Sequence, residues 1–474
     1  DFDTNKPLMY GYYYDLLSKN AFGTYRELIE DVTYSPAMAK YLTYFKNRKG
    51  DPDTGRMPDE NYAREIMQLF TIGLIKLNMD GTPVLDAYGK EIPLYTNEDI
   101  IQLAKVFTGF AFKSDWKSGL RDNRNDPNAD KYDDYYKPLK IYRDYTSEQV
   151  GFPILGTTIC TSGHNGDPCV EEALDLLLEQ DSVAPFIARQ LIQRFTESSP
   201  PPDYVERVAT AFEDGYYTTP SGVTLGSGDP TCLKATIAAI LLDERVHNPP
   251  SYYADTTPFY GKIREPILRF AHWARASKAS NVEAEKTYVI SQLKNTTEAS
   301  DKLGQQPLKA SSVFNFYRPG FMAPGTESAQ NMLTTPELQL SNENTARGYA
   351  NFMADFVYEN IGPMYVGNNS GNERLDIFNI DYSYLEEVAD DINQLVYRAD
   401  LTLTGGMLSE SEKTAIKGIL SKLTLTGTED VVKEGYEPEA AALEAAKADV
   451  FDAQKRVPLV ILLITTSASY GLAQ

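Results

Sequence analysis

Apolar residues recur along most of the chain at spacings of three and four, the pattern of helices with one buried face. "YRELIEDVTYSPAMAKYLTYF" (25–45) predicts helices on either side of a break at Pro36. "TNEDIIQLAKVFTGF" (96–110) predicts a helix opened by Thr96, with Asp99 three residues on as in a capping box, and closed near Gly109. A helix pair follows in "PCVEEALDLLLEQDSVAPFIARQLIQRFTES" (168–198), then a helix in "PPDYVERVATAFED", and another in "DPTCLKATIAAILLDERV" with Asp229 as its cap and Pro230 in its first turn. "GKIREPILRFAHWARA", a long helix in "TTPELQLSNENTARGYANFMADFVYENI" and three or four C-terminal helices ending in "KRVPLVILLITTSASYGLAQ" complete the pattern.

Strand signals are few. Asp80-Gly81 and Tyr88-Gly89 are turn chemistry between short alternating stretches in 74–96, which predicts a small hairpin between helices. No fixed-period repeat and no linker rich in Gly and Ser divides the 474 residues. The expected fold is therefore mainly α: one large multi-helix domain over 1–474, a small β-hairpin insertion, and irregular surface loops at 114–138, 214–229 and 425–440.

"PDENYAREIMQLFTIGL" (58–74) is the most polar of the predicted helices at its start. On a helical wheel Glu60, Asn61, Arg64, Glu65 and Gln68 form one arc, and Tyr62, Ile66, Leu69, Phe70 and Gly73 the other. Glu60 precedes Arg64 by four residues, the better orientation for a helical ion pair. Glu60 and Glu65 diverge by about 140° around the axis, which argues against paired-acid catalysis within this helix. Arg264-Glu265-Pro266 and Arg318-Pro319-Gly320 place further charges beside apolar stretches, so Arg64, Glu65, Arg264, Glu265 and Arg318 are expected to meet in one buried ion network.

Composition narrows the chemistry. The 67 acidic residues exceed the 45 basic ones, for a net charge of -22, a field that repels phosphate backbones and excludes nucleic acid as the natural partner. Apolar residues at 42% and aromatics at 11%, with 32 Tyr, supply a sizeable core and amphipathic surface. No run approaches the roughly 20 apolar residues of a spanning helix; the best is "VPLVILLI" at 457–464. Cys160 and Cys169 bracket "TSGHNGDP", a Gly, Asn and Pro loop that can bring the two sulfurs together, so a disulfide and an oxidising compartment are expected; the other reading is a pair of reduced thiols. Asp126, Asn128 and Asp130 repeat the oxygen spacing of a calcium loop, but Lys131 replaces its turn Gly and Lys137 its bidentate Glu. An EF-hand is excluded, leaving a looser calcium site or a solvated loop. His164 sits in the cysteine loop beside Asn165 and Asp167, where a solvent-exposed His is expected, and His272 in "RFAHWARA" reads as a packed or capped helix residue. No nucleophile elbow, phosphate loop, dinucleotide fingerprint or metalloprotease helix is present, and no cofactor is implied beyond Ca2+.

Several blocks in order resemble the bacterial domain-of-unknown-function 1800 family: "AFGTYRELIEDVTYSPAM" (21–38), the signature at 58–74, "DIIQLAKVFTGF" (99–110), "FIARQLIQRF" (186–195), "GKIREPILRF" (261–270), "SSVFNFYRPGF" (311–321) and "TTSASYGLAQ" near the end. The resemblance implies a largely helical, often exported bacterial protein, frequently encoded beside a companion similar to sulfatases and alkaline phosphatases. It also implies further helices upstream, so the chain, which opens on "DFDTNKPLMYGYYYDLL", resembles a member lacking its N-terminal part. Many members place a His-Asp pair where this chain has Arg143-Asp144 before "GFPILG".

The expectation from residues and resemblance together is an exported bacterial protein, secreted, periplasmic or on the cell surface, acting by binding a protein partner or by self-assembly. The missing catalytic parts weigh against an enzyme. Two alternatives stand beside it: an exported hydrolase or accessory subunit of a phosphatase-like or sulfatase-like companion, and a calcium-dependent surface protein.

Overall fold

The computed structural model describes residues 6–113, 135–163, 166–247, 260–279, 296–300, 302–358, 364–368, 371–375, 380–423, 453 and 455–473. Helices dominate, and the strands form only two-stranded antiparallel sheets among the described residues. Whereas the sequence leads to one large domain over 1–474, the contacts gather into two compact units, Asp1–Thr196 with Pro200–Pro258, and Glu197–Ser199 with Phe259–Gln474.

The first unit is built from Lys6–Lys19, Tyr25–Thr33, Pro36–Tyr41, Asn61–Glu65, Asn97–Val106, Asp167–Leu178, Val183–Phe195, Pro202–Asp214 and Leu233–Leu241. Its centre is aromatic. Tyr44 stacks on Tyr62 at 4.1 Å between centroids, Phe107 meets Tyr62 edge-on at 4.8 Å, and Phe110 meets Tyr44 edge-on at 5.5 Å. The buried phenols keep partners: Tyr62 shares a 2.7 Å hydrogen bond with Thr33 Oγ1, and Tyr44 donates to Thr33 O at 2.7 Å. The Thr96 and Asp99 capping box forms as the spacing predicts, and an equivalent box joins Thr24 and Glu27.

Three segments depart from expectation. The segment 214–229 is not an irregular loop but carries a hairpin, Tyr216–Thr218 against Thr224–Gly226, because Gly215 takes the left-handed cap of the preceding helix (φ 72°) and aromatic and β-branched residues favour extension beyond it. Asp229 and Pro230 do not start the next helix; it begins at Leu233 with Cys232 as its cap. Thr231 has φ 66°, and its N–H donates to Phe212 O while its carbonyl accepts from Tyr25 N–H, which holds this approach out of the helix. The stretch 74–96 makes isolated bridges, Ile75 to Pro93, Leu77 to Pro83 and Leu85 to Glu91, instead of a continuous ladder. Pro83 and Pro93 lack the N–H a ladder needs. Of the other two loops, 114–134 and 425–440 lie outside the described residues.

The second unit packs Pro266–Ala276, Glu343–Val357, Ile392–Thr404, Glu410–Leu420 and a helix through 455–465 around Trp273. Phe270, Phe352 and Phe356 surround one another at 4.6–5.2 Å, and Trp273 meets Phe356 edge-on at 6.2 Å. The long helix expected across 334–361 divides into a 3-10 turn, Pro336–Leu340, and the Glu343–Val357 helix, because the Asn342 side chain accepts from Asn344 and Thr345 N–H and restarts it. The end of the chain returns as Leu472–Ala473, paired antiparallel with Lys262–Ile263.

Candidate functional site

The signature stretch is not one regular helix. Asn61–Glu65 is α-helical and Ile66–Phe70 continues as a π-turn, the wider i to i+5 winding that is rare and concentrates at functional sites. Its displaced carbonyls are satisfied individually. Met67 O accepts from Ile72 and Gly73 N–H at 3.1 and 2.9 Å, Ile66 O from Thr71 Oγ1 at 2.7 Å, and Phe70 O from the Tyr25 hydroxyl at 2.7 Å. Gly73 ends the turn at φ 74°, where an added Cβ would stand 2.8 Å from the Phe186 ring.

Glu60, Arg64 and Glu65 lie at or within the α-helical part, before the π-turn. Glu60 and Arg64 stay on the outer arc and pair at 3.2 Å, as their spacing predicts. Asn61 donates its N–H to Asp59 and its amide to Thr43 Oγ1. Glu65, which a regular wheel places on the polar arc, is buried with only 8% of its surface exposed. Its Oε2 has no hydrogen-bond partner among the described residues. Burial raises the Glu65 carboxyl above its ordinary 4.5, and Arg64 opposes part of the rise. Burial likewise raises the Tyr41 and Tyr95 hydroxyls, and the Glu65 charge adds to both. A carboxyl that holds its proton more tightly than usual beside two phenols is equipped to donate or accept a proton or a hydrogen bond. An open cleft of about 700 Å³ in the same unit is lined by Met57 and Pro58 at the start of the signature, and by Lys49, Arg56, Lys105 and Glu148. Lys49 pairs with Glu148 there, and Lys105 donates to Gln149 Oε1 at 2.8 Å.

In the second unit the expected charges separate. Arg264 Nη1 donates to Tyr470 O at 3.0 Å, with the guanidinium 5.6 Å from the Tyr470 ring centre. Glu265 is buried and accepts from Gln305 Nε2 at 2.7 Å and from the Tyr317 hydroxyl. Arg318 is exposed, its guanidinium over the Phe314 ring and its N–H donating to Gln339 Oε1. In "YRPG" it is thus Tyr317, and not Arg318, that reaches Glu265. Arg64 and Glu65 belong to the first unit and Arg264, Glu265 and Arg318 to the second, so each set is described by itself.

The deepest ion pair of the second unit involves residues the sequence did not single out. Lys262 and Glu337, 3% and 2% exposed, pair at 2.5 Å. Glu337 Oε2 also accepts from Ser198 Oγ at 2.9 Å, and Ser198 Oγ accepts from Ile263 N–H at 3.1 Å. The one available signal is that Lys262 opens the "KIREP" block and Glu337 follows Pro336. Nothing in the sequence links them across 75 positions.

Cys160 and Cys169 form the expected disulfide, with Cα atoms 5.2 Å apart. Cys232 is free and buried. His272 presents Nε2 to Leu403 O at 2.9 Å in a partly buried setting. Asp126, Asn128, Asp130 and His164 lie outside the described residues. Among the described residues no group of three or more His, Cys, Asp or Glu side chains is placed to hold a metal, and no helix is long and apolar enough to cross a membrane.

The sequence profile of the family described as Protein of unknown function (DUF1800) matches residues 2–470. The chain belongs to this family. No curated protein and no solved structure matches it. The signature at 58–74 and the "KIREP" block are therefore parts of a DUF1800 chain.

Proposed function

We propose that this DUF1800 chain is an exported bacterial cell-envelope or extracellular protein that acts by binding a protein partner or by self-assembly. The observation that carries this reading is an uncovered apolar stripe on the second unit. Tyr397 and Leu401 lie four residues apart on the Ile392–Thr404 helix, 61% and 55% exposed, and Met407 follows the Gly405 cap at 49%. The Cys160–Cys169 disulfide supports an oxidising compartment. Native mass spectrometry and electron microscopy of the tagged protein, isolated from the envelope of the producing cell, test the proposal. A filament, lattice or hetero-complex that dissolves in the Leu401→Glu variant supports it; an unchanged monomer in both forms refutes it.

A second reading, an exported hydrolase, is supported by the buried, unpartnered Glu65 in its π-turn. Turnover of a phosphate- and sulfate-ester panel that vanishes in a folded Glu65→Gln variant would establish it. Equal turnover in the two proteins would remove Glu65 from any such chemistry.

A further inference from the structure

The start of the Pro266–Ala276 helix holds two cations that form no salt bridge among the described residues. Arg264 spends Nη1 on Tyr470 O, and Arg269 spends Nε on Arg264 O at 2.9 Å. Neither guanidinium forms a salt bridge with a carboxylate among the described residues, in a chain with 67 Asp and Glu. Both are partly buried and each stacks on a phenol ring, Arg264 on Tyr470 and Arg269 on Tyr349, with guanidinium carbons 5.6 and 5.5 Å from the ring centres. Those rings are themselves fixed, since Tyr470 donates to Arg269 O at 2.7 Å and Tyr349 to Thr465 O at 3.1 Å. Burial lowers both guanidinium affinities for protons, and Arg264 lowers that of Arg269 further, the mark of like charges within range of each other. Burial and the Arg264 charge similarly keep His272 below its ordinary 6.5.

An ordinary surface arginine meets a carboxylate or open water. Here two lie within electrostatic range of each other, partly desolvated, one bonded to the other's backbone carbonyl, each over an aromatic face and with Nη donors that make no further hydrogen bond among the described residues. That arrangement is disfavoured in isolation and is relieved by an oxyanion, which guanidinium groups bind through parallel charge-assisted hydrogen bonds. Two positive charges match a dianion better than a monocarboxylate. We infer that Arg264 and Arg269 form a binding site for a dianionic tetrahedral oxyanion, a phosphate or sulfate group, free or at the end of an ester. The site occupies a different part of the chain from the apolar stripe and does not rest on the proposed assembly.

Isothermal titration of the whole chain with sodium phosphate, against sodium chloride at matched ionic strength, tests it. Phenyl phosphate in a second arm separates a free ion from an esterified group, and acetate reports the monoanion. Saturable phosphate binding is expected, weakened about tenfold or more by Arg269→Met and by Arg264→Met, with acetate weaker throughout. Should either variant fail to fold, Arg264→Lys and Arg269→Lys keep the charge and lose the paired donors, and weakened binding in both is the expected result. No phosphate heat beyond the chloride control, or the same affinity in wild type and both lysine variants, overturns the site.

Discussion

Two Arg-Glu dipeptides, one in each unit, have opposite fates. Glu265 stands at the N-cap position of the Pro266–Ala276 helix without a side-chain capping bond, and its carboxyl instead accepts hydrogen bonds from Gln305 and Tyr317. Glu65 sits at the far end of its short α-helical segment, enters the π-turn, and leaves one buried oxygen without a partner. Nearly equal burial, 6% and 8% exposure, thus accompanies a satisfied acid in one unit and an unsatisfied one in the other. The difference teaches that burial of a charge does not reveal its role: accounting for each lone pair separates an acid that holds the fold from one available for other work.

The largest effect expected from this contrast lies with the Lys262–Glu337 pair. Glu337→Ala removes the acid of this buried pair and should lower stability by about 3–5 kcal/mol in urea titration, while the double change Lys262→Met with Glu337→Met recovers most of it. A loss below about 1 kcal/mol would show that the charges of the second unit are not structural. Gly73→Ala tests the first unit's geometry. The left-handed backbone and the overlap with Phe186 together should cost about 2–4 kcal/mol, and an unchanged melting curve would mean that the π-turn is freely remade.

Two carboxyls should respond to pH in opposite senses. Burial raises Glu412, but hydrogen bonds from Ser469 and Ser409 prevail and hold it at about 2, below its ordinary 4.5. Its contribution is therefore present above pH 4.5 and lost as pH falls toward 2. Glu412→Ala should cost about 1 kcal/mol at pH 7 and little at the acid end. Glu65 is raised, so its ionised form opposes folding as pH climbs above 4.5. Glu65→Gln should stabilise by about 0.5 kcal/mol at pH 7, with the gain vanishing below 4.5. A destabilised Glu65→Gln at neutral pH would erase the contrast with Glu265. The smallest effect belongs to Arg64→Gln, which gives up the exposed pair with Glu60 and should lose about 0.2–0.5 kcal/mol.

Local chemistry explains what was legible in advance. Thr96 with Asp99, and Cys160 nine residues from Cys169, are short-range relations that spacing alone expresses. The helical wheel at 58–74 misplaced Glu65 because a wheel gives a residue's angle without what packs against it, and Glu65 lies in the regular α-helical part. The partners of Glu265 lie 40 and 52 positions away, so choosing Tyr317 over Arg318 required the fold. A still longer separation, 75 positions, hid Glu337 from Lys262. The unpaired Arg264 and Arg269 were equally invisible, since the lack of a carboxylate neighbour is a property of the packed chain and not of any motif.

The π-turn also stores a length. An i to i+5 ring contains one residue more than an α-helical ring, so removing one residue from 66–70 would let the segment close at regular pitch with the chain beyond it near its present phase. Ile72 would keep its place in the core and Gly73 its place beside Phe186. Between Glu65 and Gly73 the chain therefore carries one residue of slack, able to absorb a gap that a regular helix would pass on as a turn of about 100°.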